Sequence, residues 1–252
     1  MILLREEMGG GSLAEMMALK ASPLDMEVKI RILSDVAKGL SYLKALSSSG
    51  LKASGQRWIP SALGRLLSRP LRWLRSLLGG RSASQASSWW TQLGSAAGYT
   101  LDRTGCSMVH GRLTPSNVFL DRKLNAKLGI DLAQPLLTAR ELAVYSAPEV
   151  LRGEGPTAAS DVFSFGVLLF ELMTGLEVYS DLTLEEAIKG VQHGVLRPRL
   201  PASLYPGLGD LVYLCLANEP QHRPQIDHIQ VELERFVFRS EVEKAMSSIS
   251  PV

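Results

Sequence analysis

The stretch Ala159–Gly175, ASDVFSFGVLLFELMTG, is apolar nearly all the way round a helix. A surface helix would keep one polar face, so this pattern predicts a helix buried in the middle of the molecule. Its longest apolar run, Val162 to Phe170, holds one Ser and one Gly and is too short to span a bilayer. Such a helix needs others to cover it, and they are legible on both sides.

Downstream, LTLEEAIKGVQ has Thr183 followed three residues on by Glu186, the pattern of a capping box. LYPGLGDLVYLCLA and QIDHIQVELERFVF predict two further helices, and the polar tail RSEVEKAMSSISPV is expected to fray. Upstream, VFL and AKLG are short apolar runs joined by the polar turn DRKLN, which predicts a β-hairpin, with a loop from there to SAPEV. Nearer the start, PLDMEVKIRILSDVAKGLSYLKAL repeats apolar residues at helical spacing from Pro23 onward and stops at SSSG. GGGSLAEMM predicts a turn feeding a short helix, with Ser12 as its N-cap.

The 252 residues suit one large domain or two small ones. Net charge is +2, but it is unevenly spread. Between Asp35 and Asp102 there is no acidic residue and there are nine Lys or Arg; the remainder carries 18 basic against 25 acidic residues. All four tryptophans fall in this basic stretch. Within it, residues 62–78 put Leu66, Leu74 and their neighbours on one helical side and Arg65, Arg69, Arg72 and Arg75 on the other. Three readings stay open: a helix for an anionic membrane surface or partner, an insertion packed on the domain, or a mis-joined stretch absent from the working protein. Two distant cysteines, Cys106 and Cys215, argue against a disulfide framework and for a reducing compartment. MILLREEM lacks the apolar run of a signal peptide, so a cytoplasmic protein is expected, peripheral at a membrane if residues 62–78 bind one.

VHGRLTPSN (109–117), AKLGIDLA (126–133), SAPEV (146–150), SDVFSFGVLLFELMTG and CLANEPQHRP follow one another in an order that resembles the C-terminal lobe of a protein kinase. The flavour is that of the tyrosine-kinase-like group, and ILLREEMGGGSL resembles the hinge between lobes. The resemblance implies a mainly α fold: a kinase-like C-terminal lobe with a small β-hairpin, the N-terminal lobe absent, and a basic Trp/Arg-rich insertion. It divides the chain into hinge and first helices (1–46), insertion (47–104), the rest of the lobe (105–239) and a flexible tail (240–252).

It also assigns residues. Glu149 and Arg223 match a buried ion pair that pins the activation segment, Asp161 matches the acid that holds the catalytic loop, and His110 packs inward from that loop. In the family an Asp of the loop accepts the proton of the substrate hydroxyl; here that position is Arg112. The Lys position is Thr114, and the Arg that reads a phosphorylated activation loop is Gly111. Asn117 still matches a magnesium ligand, although a turn-former bonding its own loop is the alternative. The metal-binding Asp is matched by Ile130 unless the backbone shifts Asp131 into place. Glu6 and Met8 of the hinge, with Asn117 and Asp131, are the candidate nucleotide and metal contacts. No Gly-rich strand-turn or strand Lys for ATP phosphates precedes them.

The expectation is therefore a pseudokinase that binds other proteins, an active kinase or its substrate among them, without transferring phosphate. No cofactor is expected beyond weak ATP–magnesium binding, and no nucleic acid. The alternative is a fragment of an ATP-dependent Ser/Thr protein kinase, and a third reading is a membrane-surface adaptor acting through residues 62–78.

Overall fold

The computed structural model describes residues 10–19, 24–48, 100–101, 108–129, 138–201 and 207–249. Glu6, Met8, Ile130, Asp131, Cys106 and residues 62–78 lie outside them.

The apolar stretch 159–175 forms helix α5, Ala158–Thr174, the fifth helix in chain order, and thirteen of its seventeen residues are buried. Thr157 starts it with a capping box to Ser160, and Gly175, in the left-handed region at φ +69°, ends it. The rest of the described chain packs round it. Helix α1 (Leu13–Ala18) begins at Ser12, whose hydroxyl accepts from Glu15 N while Glu15 reaches back to Ser12 N. Helix α2 (Met26–Ser48) starts three residues later than its apolar pattern predicts, with the Asp25 carboxylate accepting from Met26 N at 2.8 Å. It buries Ile30, Ile32, Leu33, Val36 and Leu40 in the common core.

Strands β1 (Thr100–Leu101) and β2 (Met108–Val109) pair antiparallel. Strands β3 (Val118–Leu120) and β4 (Ala126–Leu128) form the predicted hairpin, in the register Val118 to Leu128 and Leu120 to Ala126. Its turn is built by Asp121, which accepts from Lys123 N at 2.7 Å and Asn125 N at 2.9 Å. The segment before α1 joins this hairpin, Gly10 N donating to Leu120 O and Leu120 N to Gly11 O.

Two sequence expectations are corrected here. The loop expected between the hairpin and SAPEV contains helix α3, Ala139–Tyr145. Thr138 caps it by accepting from Glu141 N at 3.0 Å, a start signal obscured because the helix is only seven residues long. The last helix does not end near Phe238 but runs as α8 from Ile226 to Ile249. Glu241, Glu243, Lys244, Ala245 and Met246 are good helix formers, which explains the continuation. Between them lie α4 (Pro148–Leu151), α6 (Leu184–Gln192) and α7 (Leu208–Cys215). Helix α7 crosses α5 at Gly166, where a Cβ would come within 2.8 Å of the Cys215 Cβ. No helix among the described residues is long and apolar enough to cross a membrane.

Candidate functional site

The site is the loop His110–Asn117 between β2 and β3, and its shape is dictated from below by α5. Asp161, in the first turn of α5, accepts His110 N on one carboxylate oxygen at 2.7 Å and Gly111 N on the other at 2.8 Å. This fixes two consecutive peptide units, which fixes the register of all that follows. Gly111 lies at φ +70°, a conformation glycine adopts without a Cβ penalty. The chain then reverses so that Arg112 N donates to His110 Nδ1 at 3.3 Å. Pro115 opens a short 3₁₀ turn, Pro115–Asn117, that leads into β3. The Asn117 side-chain amide closes the loop by donating to Arg112 O at 2.8 Å, and Asn117 O accepts from Gly129 N at 2.9 Å.

Burial sets the electrostatics. Asp161 is pushed up to about 7 by desolvation, which the two backbone donors partly offset. His110 is held down to about 4, first by burial and also by Arg112, against a backbone hydrogen bond with Gly129. Burial also lowers Arg112. The loop therefore holds a neutral imidazole and a positive guanidinium.

A second structure lies beneath. Glu149, in α4, receives Arg223 Nη1 at 2.6 Å and Nη2 at 2.7 Å as a bidentate pair, with the Arg223 side chain fully buried. The remaining Arg223 donors go to Ala217 O, Ala159 O and Asn218 O. The guanidinium also lies 5.2 Å from the centre of the Phe163 ring. The structure thus ties the SAPEV segment, the start of α5 and the turn before α8 to one side chain.

Sequence reasoning missed a third cluster. Tyr145, the last residue of α3, donates its hydroxyl to Glu171 of α5; Ser164 donates to Tyr145 O at 2.7 Å, and Val178 N to Glu171 at 2.8 Å. Burial raises both Glu171 and, well above its ordinary value, Tyr145. The available signal was Glu171 itself, a carboxylate set in the apolar run of α5 that has to find donors. Tyr145 is 5 % exposed, so its hydroxyl is enclosed, and Thr138 is the cap of α3.

What this loop can do follows from its donors and acceptors. Arg112 has no acceptor atom on its side chain and cannot take a hydroxyl proton. Thr114 is 1 % exposed and carries no positive charge. Magnesium wants several hard oxygen ligands. Among the described residues no group of three acidic, His or Cys side chains could hold a metal ion, and the Asn117 amide is bonded to the Arg112 backbone carbonyl. Asp131, the other candidate magnesium ligand, and the hinge residues Glu6 and Met8 lie outside the described residues. A cavity of about 20 Å³ lies against the loop, lined by Arg112, Thr114, Ser146 and Asp161 among others. A larger one of about 390 Å³ lies between α2 and α8, and none of the described candidate site residues lines it.

Comparison with known proteins agrees with this architecture. Residues 71–233 match the family model described as protein tyrosine and serine/threonine kinase. The chain belongs to this family. A probable serine/threonine-protein kinase of Dictyostelium discoideum is 32 % identical over 129 residues, 48 % of this chain and 8 % of that protein. The serine/threonine/tyrosine-protein kinase HT1 of Arabidopsis thaliana is 30 % identical over 137 residues, 51 % of this chain and 35 % of its own length. The serine/threonine-protein kinase CTR1 of the same plant is 32 % identical over 143 residues, 54 % of this chain and 17 % of its own length. The match therefore spans no more than about a third of each of these relatives.

Proposed function

We propose that this chain is a pseudokinase module of tyrosine-kinase-like type: a helical C-terminal lobe that binds other proteins and does not transfer phosphate. The observation that carries the reading is Arg112. The family resemblance matches residue 112, next after the two backbone N–H groups that Asp161 accepts, to the base position, and a guanidinium has no acceptor to offer. Loss of the Lys position to Thr114 points the same way. The floor beneath, Glu149–Arg223 and Asp161, keeps its hydrogen bonds, which is what a binding scaffold needs. The partner class is a protein, an active kinase or its substrate, met in the cytoplasm; residues 62–78 would add an anionic membrane surface. The test is transfer of labelled phosphate from ATP to generic substrates by the purified chain with magnesium or manganese. None is expected, and Arg112→Asp alone restores none.

The second reading is part of an active Ser/Thr protein kinase, favoured by the names of the matched relatives. Metal-dependent transfer by a longer form of the protein would establish it.

A further inference from the structure

The groove between α2 and α8 has a volume of about 390 Å³ and an apolar wall made by Ile30, Leu233, Val237 and Phe238. The two helices run antiparallel. Ser41 and Lys44, late in α2, bond Asp227 at the start of α8, while Glu27 and Ile30, early in α2, line the groove with Val237 and Glu241. Phe238 stands on the rim and is 67 % exposed. From it an exposed apolar stripe extends along α8, back to Val231 and on through Val242 to Met246. These residues recur at spacings of four and seven, so they share one side of the helix, turned away from the fully buried Ile229. The stripe is about 22 Å long at 1.5 Å per residue. Single exposed apolar residues need no explanation, but a contiguous patch beside a groove marks an interaction surface.

Charge decides what covers it. Glu27, Glu234 and Glu241 line the groove, and so do Arg31 and Lys38; all five are exposed. Lys38 has Asp35 at 3.5 Å, an exposed pair of little worth that a partner can exchange. An anionic surface would meet the three carboxylates. The basic stretch 62–78, with Arg65, Arg69, Arg72 and Arg75, would answer those carboxylates but press like charge on Arg31 and Lys38. A second copy of this chain brings both signs, and both an aromatic rim residue and a groove to receive one. A two-fold contact requires such a self-complementary patch, because each copy meets the same surface on the other.

We propose that α8 and the adjoining groove form a two-fold interface between two copies of this chain. Each copy sets Phe238 into the groove of the other and Glu241 against the other's Lys38. The contact does not depend on whether the His110–Asn117 loop transfers phosphate, so its failure leaves the inactive reading standing.

The test is sedimentation equilibrium of the whole chain over a micromolar concentration series. The weight-average mass should climb from one chain toward two with a single dissociation constant. Phe238→Glu should raise that constant about thirtyfold or more, as loss of a central aromatic anchor does. Its circular dichroism should stay unchanged, because Phe238 lies outside the core cluster. Lys38→Glu and Glu241→Lys should each weaken pairing about fivefold, and the double variant should restore it, a rescue that a role confined to folding would not give. A chain that stays single at every concentration overturns the proposal; if Phe238→Glu then exposes residues 62–78 to protease, the chain's own basic stretch is the occupant. Pairing that neither Phe238→Glu nor the charge variants move overturns it too, since the contact then lies on another face.

Discussion

Arg223 and Arg112 are the same residue type, both withdrawn from water within one domain, and they end in opposite states. Arg223 places all five of its N–H groups, two on Glu149 and three on backbone carbonyls. Arg112 meets no carboxylate among the described residues, and desolvation lowers its affinity for its proton. The first is a clamp whose energy lies in the fold. The second is a charge that no carboxylate among the described residues answers. The difference teaches that the lobe and its chemistry are separable. The floor can remain fully bonded while the rim changes sign.

The sharpest way to break the comparison is to disarm the clamp. Arg223→Met leaves the Glu149 carboxylate buried and unpaired, and urea unfolding should show a loss of about 3–5 kcal/mol. Arg112→Met should cost far less by the same measurement, because no described partner is stranded.

The next effect is a pH dependence with two opposing parts. Asp161 keeps its proton to about 7 in the folded state, whereas an unfolded Asp loses it near 3.9. Between those values the folded state holds more protons, so this residue makes stability fall as pH rises. His110 titrates at about 4 when folded and near 6.5 when unfolded, so over that window it makes stability rise with pH. In the wild-type chain the two slopes largely cancel from pH 4 to 6.5. Asp161→Asn should therefore show a stability that rises with pH relative to wild type, and His110→Gln one that falls, by up to about 1.4 kcal/mol per pH unit. Parallel profiles for both variants and wild type would contradict the burial argument.

Smaller effects refine the picture. Gly111→Ala puts a Cβ on a residue at φ +70°, with an expected cost of about 1–2 kcal/mol in chemical unfolding. Thr183→Ala removes the capping box of α6, which involves neither arginine, and should cost about 1 kcal/mol.

Much of the fold was legible because its signals are local. The apolar circumference of 159–175, the Thr183–Glu186 box, the Ser12 cap and the VFL–DRKLN–AKLG hairpin each need only neighbouring residues to be read. Helix α3 was hidden because it spans seven residues and its cap, Thr138, sits in a run that otherwise reads as a turn. The length of α8 was hidden because the sequence of its last turns carries no apolar stripe that continues the core face, although it is rich in good helix formers. At the site, the match of Arg112 to the base position and the pairing of Glu149 with Arg223 came from the family resemblance, and the structure contains the second. The buried Tyr145–Glu171 contact could not be read from the sequence, because it joins residues 26 apart through tertiary packing. The Thr114 hydroxyl, buried without a hydrogen-bond partner among the described residues, is likewise a property of packing, invisible in a residue list.

The central claim is that the loop from His110 to Asn117 retains a catalytic shape without the group that makes the shape catalytic. Its most direct test is the transfer of labelled γ-phosphate from ATP, in magnesium and in manganese, measured side by side for the wild-type chain and Arg112→Asp. Both should remain at the level of a protein-free blank. Metal-dependent transfer by the wild-type chain, abolished by Asn117→Ala, would contradict it.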